Sequence, residues 1–279
     1  KNVATPLPYQ NMHFFRDADT IAAFKAACES GDSVFHATGV DPDIISDRVL
    51  LSLTGLCTDI TSIKLQEFWE CSAGHPESLA FIGFGKSVEE VKSAGIAAGS
   101  TVNFLKAIAL TAESALGVKY DRVEMECEYV PTLKDINHPI AVKKGTVARM
   151  VHRMCGYVDD RGSEPFFTIE YNWLMSYDML PEGVTPDQYW LATIEGRPSL
   201  KMSIDIKASH KTSERFFQIG NLSSEPGYHA TIAPCLQAIP HVCVSAPGVI
   251  PSFGPGLHWR ADLRDSATVP AQQDAINLK

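Results

Sequence analysis

The stretch Phe35-His36-Ala37-Thr38-Gly39-Val40-Asp41-Pro42-Asp43 decides the fold. An apolar run from Ser33 to Ala37 leads into it, and a helical pattern from Ile44 to Leu56 leads out. A buried strand therefore ends at Thr38-Gly39, and Asp41 or Asp43 is placed to cap the helix that follows. Gly39 allows a tight turn or the close approach of a ligand, and Asp41-Pro42 fixes a turn ahead of the helix. In open α/β sheets, ligands gather just outside the carboxyl ends of the strands, and this stretch is such an end. The plainer alternative is an ordinary strand-turn-helix junction.

Working outward toward the start, residues 3–5 form a short strand ended by Pro6 and Pro8. Asp17 to Thr20 offers caps for a helix through Ala22, Phe24 and Ala27 that stops near Gly31. Strand, helix and strand at this spacing make a βαβ unit with parallel strands. Two parallel strands need further strands beside them and cover on both faces.

Toward the end of the chain, residues 44–56 have Ile44, Ile45, Val49, Leu50 and Leu53 on one helical side. A strand follows over 60–70, with Ile63, Leu65 and Trp69 alternating against Lys64, Gln66 and Glu70. Residues 72–85 read as a loop, and 98–116 as a long helix closed by Gly117. From Tyr120 the period becomes two, and Glu124, Glu126 and Glu128 line one solvated strand face. Hairpins are expected over 145–177 and 188–207, which together make an antiparallel sheet. Residues 220–239 return to helix, with Pro234 as a kink and Pro240 as the stop. The tail after Asp262 is polar and reads as disordered.

Composition narrows the function. A net charge of -9 over 279 residues speaks against non-specific nucleic-acid binding, which needs clustered cations. Neither an apolar run of membrane-spanning length nor a secretory signal is visible. The 7 cysteines contain no C-x-x-C pair, so they read as reduced thiols of a cytoplasmic protein, with neither a metal site nor a redox pair. The dinucleotide fingerprint G-x-G-x-x-G is absent: Gly83-Phe84-Gly85 and Gly254-Pro255-Gly256 lack the third glycine and the strand-helix context.

The opening stretch, with its sequel Ser52-Leu53-Thr54-Gly55-Leu56-Cys57, resembles the dihydrodipicolinate reductase-like family, in the group of 2,4-diaminopentanoate dehydrogenase and the native amine dehydrogenases. Similar segments follow in the same order: Gly74 to Gly85, Lys144 to Ala148, Ile194 to Ser199, Gln237 to Pro240, and Ala246 to Gly248. The resemblance implies that Lys1-Asn2-Val3 follows the nucleotide-binding half of a Rossmann domain, and that this half is missing from the chain. It implies NAD or NADP as cofactor, and it places Thr5, Pro6, Thr38 and Gly39 beside the nicotinamide. The histidine pair and Lys motif of true dihydrodipicolinate reductases are not here, which speaks against that reaction. Native amine dehydrogenases carry a Glu soon after the strand resembling residues 1–5; this chain has Pro6-Leu7-Pro8-Tyr9-Gln10, without a carboxylate.

The expected fold is therefore α/β plus α+β. It comprises a Rossmann remnant (1–40), an α+β substrate and dimerisation domain with a mostly antiparallel sheet (41–215), a closing helix that returns to the first part (216–260), and a tail (261–279). The expected activity is an NAD(P)-dependent oxidoreductase working at a C–N, imine or carbonyl centre of a small amine, amino acid or ketone, as a homodimer. A non-catalytic binding or dimerisation module is the alternative. Proton carriers should titrate near neutrality, which makes His229, His75 and His36 the candidates, with His36 equally readable as a core residue. Tyr171, Trp173, Tyr177, Tyr189 and Trp190 are candidates to line an apolar pocket. The main cleft is expected to be lined by Thr5, Thr38, Gly39, His75 and His229.

Overall fold

A computed structural model describes residues 1–250, apart from 11, 13–17, 160–161 and 221. The expected disorder of the tail after Asp262 and the Gly254-Pro255-Gly256 segment lie outside the described residues.

Strands β1 (Val3–Thr5) and β2 (Val34–Ala37) pair in parallel, as the βαβ reading requires, with α1 (Ala18–Ser30) between them. A further strand, β11 (Gly248–Ile250), joins the other side of β2, also in parallel. The sequence reading took this segment only as a Pro-Gly turn. The segment Val40–Leu50 follows β2; its backbone is non-helical at Asp41, Pro42 and Asp43 and helical beyond them, and it continues into α2 (Leu51–Thr54).

The larger sheet has six strands: β3 (Asp59–Glu70), β4 (Arg122–Pro131), β5 (Val147–Tyr157), β6 (Phe167–Leu174), β7 (Gln188–Arg197) and β8 (Leu200–Asp205). Their order is β4-β5-β6-β3-β7-β8. All neighbours are antiparallel except β3 and β6. Residues directly opposite each other share a face. Glu67 opposes Tyr171, and His152 opposes the same tyrosine from β5, so these belong to one face. That face packs on Val40–Leu50 and on α5 (Ile96–Leu116), with Leu65, Ile108, Phe167 and Ile169 at most 1% exposed. Each such side chain contributes roughly 1.5–3 kcal/mol by leaving water. The glutamates Glu124, Glu126 and Glu128 lie on the opposite, solvated side.

Helix α6 (Pro226–Val244) returns and packs on β1, β2 and Val40–Leu50. Asn2 staples this return: its Nδ2 donates to the Val242 carbonyl at 3.2 Å, and its Oδ1 accepts the Val34 N–H at 3.0 Å. Short strands β9 (Phe217–Ile219) and β10 (Leu222–Ser224) form a hairpin just before α6. Among the described residues no single helix is long and apolar enough to cross a membrane. None of the seven cysteines forms a disulfide, and five of them are buried.

Three local expectations need correction. Residues 72–85 are not all loop: α3 (Pro76–Ile82) takes up half of them, and a further short helix, α4 (Val88–Ala94), follows. Pro76 at the first turn and a Ser87–Glu90 capping box were the signals for these starts. Pro240 does not end α6, which runs on to Val244. The carbonyl this proline leaves unpaired belongs to Leu236, which is exposed, so water can take the lost bond. The helical turns after β2 begin only past Asp43, whose carboxylate is taken by Thr38 and Arg48 rather than by a backbone N–H of the first turn, while Asp41 meets the Ser46 hydroxyl.

Candidate active site

The site begins where β1 and β2 end. The Thr38 N–H donates to the Thr5 carbonyl at 3.0 Å, and the Leu7 N–H donates to Thr5 Oγ1 at 3.2 Å. A side chain on Gly39 would rest 3.4 Å from Pro6 Cβ, so Thr5, Pro6, Thr38 and Gly39 form one tight junction. Gly39 itself is extended at φ -166°, a conformation open to any residue. The expected need for glycine flexibility there is not met. The demanding position is Asp43, at φ 113°. Such a backbone is costly for a non-glycine residue and persists only when its surroundings hold it.

Asp43 is held from several sides. Its Oδ2 accepts the Thr38 hydroxyl at 2.5 Å, and Arg48 Nε donates to its Oδ1 at 2.7 Å. Burial raises its pKa, and Arg48 and Thr38 pull the other way. This clamp ties the helical segment to the end of β2. Val40 and Asp41, within the turn it closes, line a cavity of about 240 Å³.

The sheet supplies one wall of that cavity through Glu67, Trp69, Tyr171, Trp173 and Tyr189. Period-two alternation puts Glu67 and Trp69 of β3 on the same face as Tyr171 and Trp173 of β6. A register slip between Gln188 and Trp190 bulges β7, so Tyr189 reaches the cavity while Trp190 fills the core behind it. Helix α5 adds Ser100, Thr101 and Phe104, and the start of α6 adds Gly227, Tyr228 and Thr231. Trp69 meets both Trp173 and Tyr228 edge-on, at 5.6 and 5.5 Å, which makes the wall rigid and aromatic. Gly227 is required: a Cβ there would clash with the Tyr189 hydroxyl.

Two carboxylates face this aromatic cavity. Both oxygens of Asp41 are shielded from solvent, with the Ser46 hydroxyl as the hydrogen-bonding group beside them. Burial pushes its pKa well above the usual carboxylate range, and the charge of Glu67 adds to this. Glu67 Oε1 accepts the Trp173 indole N–H at 3.1 Å. Burial raises Glu67 to about 7 against that hydrogen bond, with the Glu225 charge helping. Glu225, just before α6, is also raised to about 7, chiefly by burial. Among the described residues no lysine or arginine lines the cavity.

The four strand-end residues come together beside Val40 and Asp41, yet none of them lines the cavity. The three histidines lie apart from it. His36 is 6% exposed in the middle of the small sheet, its Nδ1 3.1 Å from the Ile250 carbonyl, and burial lowers its pKa. This is the core placement weighed above. His75 is exposed just before α3. His229 packs against Phe217 at 4.5 Å, with its Nε2 3.1 Å from Ser224 Oγ. Thr5, Thr38, Gly39, His75 and His229, expected to line the main cleft, do not line this cavity, whose walls carry Asp41, Glu67 and the aromatics. Of the aromatic candidates, Tyr171, Trp173 and Tyr189 line the cavity, whereas Tyr177 lies under the Arg215 guanidinium at 4.6 Å. Asp41 was legible only as a cap. Glu67 carried a signal that the alternation argument passed over: an acid on the Ile63, Leu65, Trp69 side of a strand.

Comparison with known proteins places the fold. The structure of an amine dehydrogenase from Mycobacterium smegmatis superposes with a TM-score of 0.64 at 17% identity, over 93% of this chain and 70% of that one. 2,4-Diaminopentanoate dehydrogenase from Acetoanaerobium sticklandii is 28% identical over 249 residues, which is 86% of this chain. The chain spans 59% of that relative's length. The family described as the 2,4-diaminopentanoate dehydrogenase C-terminal domain matches residues 44–253, from the first helical turn after the clamp to beyond β11. The chain therefore belongs to that family.

Proposed function

We propose that this chain is the substrate-holding part of an NAD(P)-dependent oxidoreductase acting at the C–N centre of a small amine, with the aromatic cavity as its amine site. The observation that carries the reading is Asp41: a buried carboxylate with the Ser46 hydroxyl beside it and no cationic lining residue, opening on an aromatic cavity next to the strand-end junction. Such a group is expensive unless a ligand pairs with it. An alkylammonium fits, because it satisfies the carboxylate while the aromatic walls take its alkyl body.

The chemistry follows from those residues. An ammonium must lose a proton before hydride can leave the neighbouring carbon. Asp41 holds the nitrogen and accepts that proton, and its raised pKa makes it a stronger base than an ordinary carboxylate. It supplies the acid group that Pro6 to Gln10 lacks. Thr5, Pro6, Thr38 and Gly39 would border the nicotinamide, which as the bound cofactor supplies the hydride acceptor. The fit is supported by Gln10, which is 1% exposed with both amide atoms unpartnered, a match for the cofactor's carboxamide. Homodimer formation belongs to the same proposal, since an antiparallel sheet can leave one face for a second copy.

The test uses the protein that carries this chain. Small primary amines with NAD or NADP should yield reduced nicotinamide, and Asp41→Asn should lower turnover by about a hundredfold. Turnover in that variant within about threefold of the parent would reject the role of Asp41.

A further inference from the structure

We propose that Glu225 is the outlet for the proton that Asp41 takes from the amine: it passes the proton from the aromatic cavity, past Tyr189, to a smaller chamber on the other face of the sheet, where Glu70 hands it to the surface. This deepens the amine-site reading above and rests on it.

The need for an outlet comes from burial. In each turnover one N–H bond of the ammonium breaks and one O–H bond forms on Asp41. That proton must leave before the next ammonium arrives, yet both oxygens of Asp41 are shielded from solvent. An amine in the cavity displaces the water that could otherwise carry it away. Glu67 shares the cavity, near enough for its charge to act on Asp41.

The sheet provides the way out. Glu67 and Glu70 are three residues apart on β3, so they face opposite sides of it. On the Glu70 side lies a chamber of about 20 Å³ lined by Glu70, Gln188, Tyr189, Arg215 and Glu225, with Phe68 behind them. It has room for one water and the polar groups to hold it. Tyr189 lines both the chamber and the cavity, because the bulge in β7 leaves it out of the ladder with β8. A side chain on Gly227 would run into both the Tyr189 hydroxyl and Glu225 Oε2, so these two oxygens lie side by side at the partition. Glu225 is 7% exposed, with the first N–H groups of α6, those of Gly227 and Tyr228, beside its carboxylate.

Glu225 is also linked to the acid on either side of it. Its charge acts on Glu67, and the charge of Glu70 acts on it. Glu70 Oε2 accepts the hydroxyl of the partly exposed Ser72 at 2.9 Å, which completes the route to the surface. Each carrier gains one proton and gives one up, so nothing is oxidised or consumed. Burial sets Glu67 and Glu225 alike, at about 7, and matched carriers pass a proton with little cost. The other titratable groups facing Glu225 are Cys71, Tyr177, Tyr189 and Tyr228, all held protonated at that pH by burial. Arg215 is the cation of the chamber wall.

Two measurements on the protein that carries this chain test the outlet. Without amine or cofactor, infrared difference spectra between about pH 6 and about pH 8 should show protonated carboxyl absorption being lost. Glu225→Gln should remove about half of that signal, because Glu67 supplies the rest, and Glu70→Gln should move the midpoint downward. With a primary amine and NAD or NADP, Glu225→Gln should lower kcat about tenfold and leave KM within about twofold. The rise of kcat through neutral pH should flatten in that variant, and the solvent deuterium isotope effect should grow. Glu225→Asp keeps a carboxyl and should recover most of the loss. If Glu225→Gln does not fold, Glu70→Gln carries the test, since it leaves Glu225 and the cavity intact and should lower kcat in the same way. Three results would overturn the proposal: no carboxyl signal over that pH range, a parent-like kcat and pH profile in the variants, or a raised KM at unchanged kcat. An active parent with unaffected variants removes this inference alone, whereas a parent that oxidises no primary amine removes the dehydrogenase reading as well.

Discussion

Glu67 and Glu170 sit on neighbouring strands, one step apart in register, on opposite faces of the six-stranded sheet. Their environments drive them in opposite directions. On the cavity face Glu67 meets only indole donors, Trp173 at 3.1 Å with Trp190 beside it, and burial raises its pKa to about 7. On the other face Glu170 is 3% exposed, and burial alone would raise it in the same way. There, however, Asn172 and Gln66 each donate to Oε1 at 2.7 Å, and Arg153 Nε donates to Oε2 at 2.5 Å. These donors outweigh burial, with Lys64 adding its charge, and the carboxyl falls to about 2. The same residue type is structural where it is saturated with donors and available for chemistry where it is starved of them.

The contrast can be broken most strongly from the saturated side. Arg153→Ala leaves Glu170 buried with fewer donors and should cost about 3 kcal/mol in urea unfolding. A loss below about 1 kcal/mol would mean that the neutral donors suffice.

The next largest effect sharpens the opposite signs. Glu67 keeps its proton in the folded state above the ordinary value of 4.5, so its stabilising contribution is complete below that pH and is lost as pH rises through about 7. Glu170 contributes above 4.5, and its share is lost as pH falls toward 2. Asp41 and Glu225 face Glu67 and share its sign. Glu67→Gln should therefore be near neutral at about pH 5 and stabilising at about pH 8, by on the order of 2 kcal/mol after allowing for its contact with the cavity. Thermal unfolding across that range checks this, and a parallel shift at all pH values would contradict it.

The smallest effect lies at the rim of the saturated face. Arg153 Nη1 also reaches Glu126 at 3.2 Å, but that carboxylate is half exposed. Glu126→Gln should change unfolding free energy by no more than about 0.5 kcal/mol. A larger loss would show that the exposed arm of the network matters as much as the buried one.

Much of this architecture was legible in the chain. The end of β2 at Thr38-Gly39, the parallel pairing of residues 3–5 with 33–38, and the hairpins over 145–177 and 188–207 all follow from short-range rules. A strand repeats every two residues, a helix every 3.6, and a turn is decided by two to four neighbours. The solvated glutamates of β4 were readable for the same reason. The motif resemblance reached the family, because ordered segments along a chain survive without any knowledge of contacts.

The site was less legible because it is made of distant residues. Asp41, Glu67, Tyr171 and Tyr228 meet only once β3 has inserted between β6 and β7 and α6 has returned to the small sheet. Local pattern could say that Glu67 lay on the apolar side of its strand and that Asp41 preceded a helix. It could not say that both would face one cavity, or that Asp43, with Thr38 and Arg48, would turn Asp41 inward. Side-chain period is set by bonds between adjacent residues, whereas a carboxylate's partners, and with them its charge at neutral pH, are set by whichever strands and helices the packed core brings beside it.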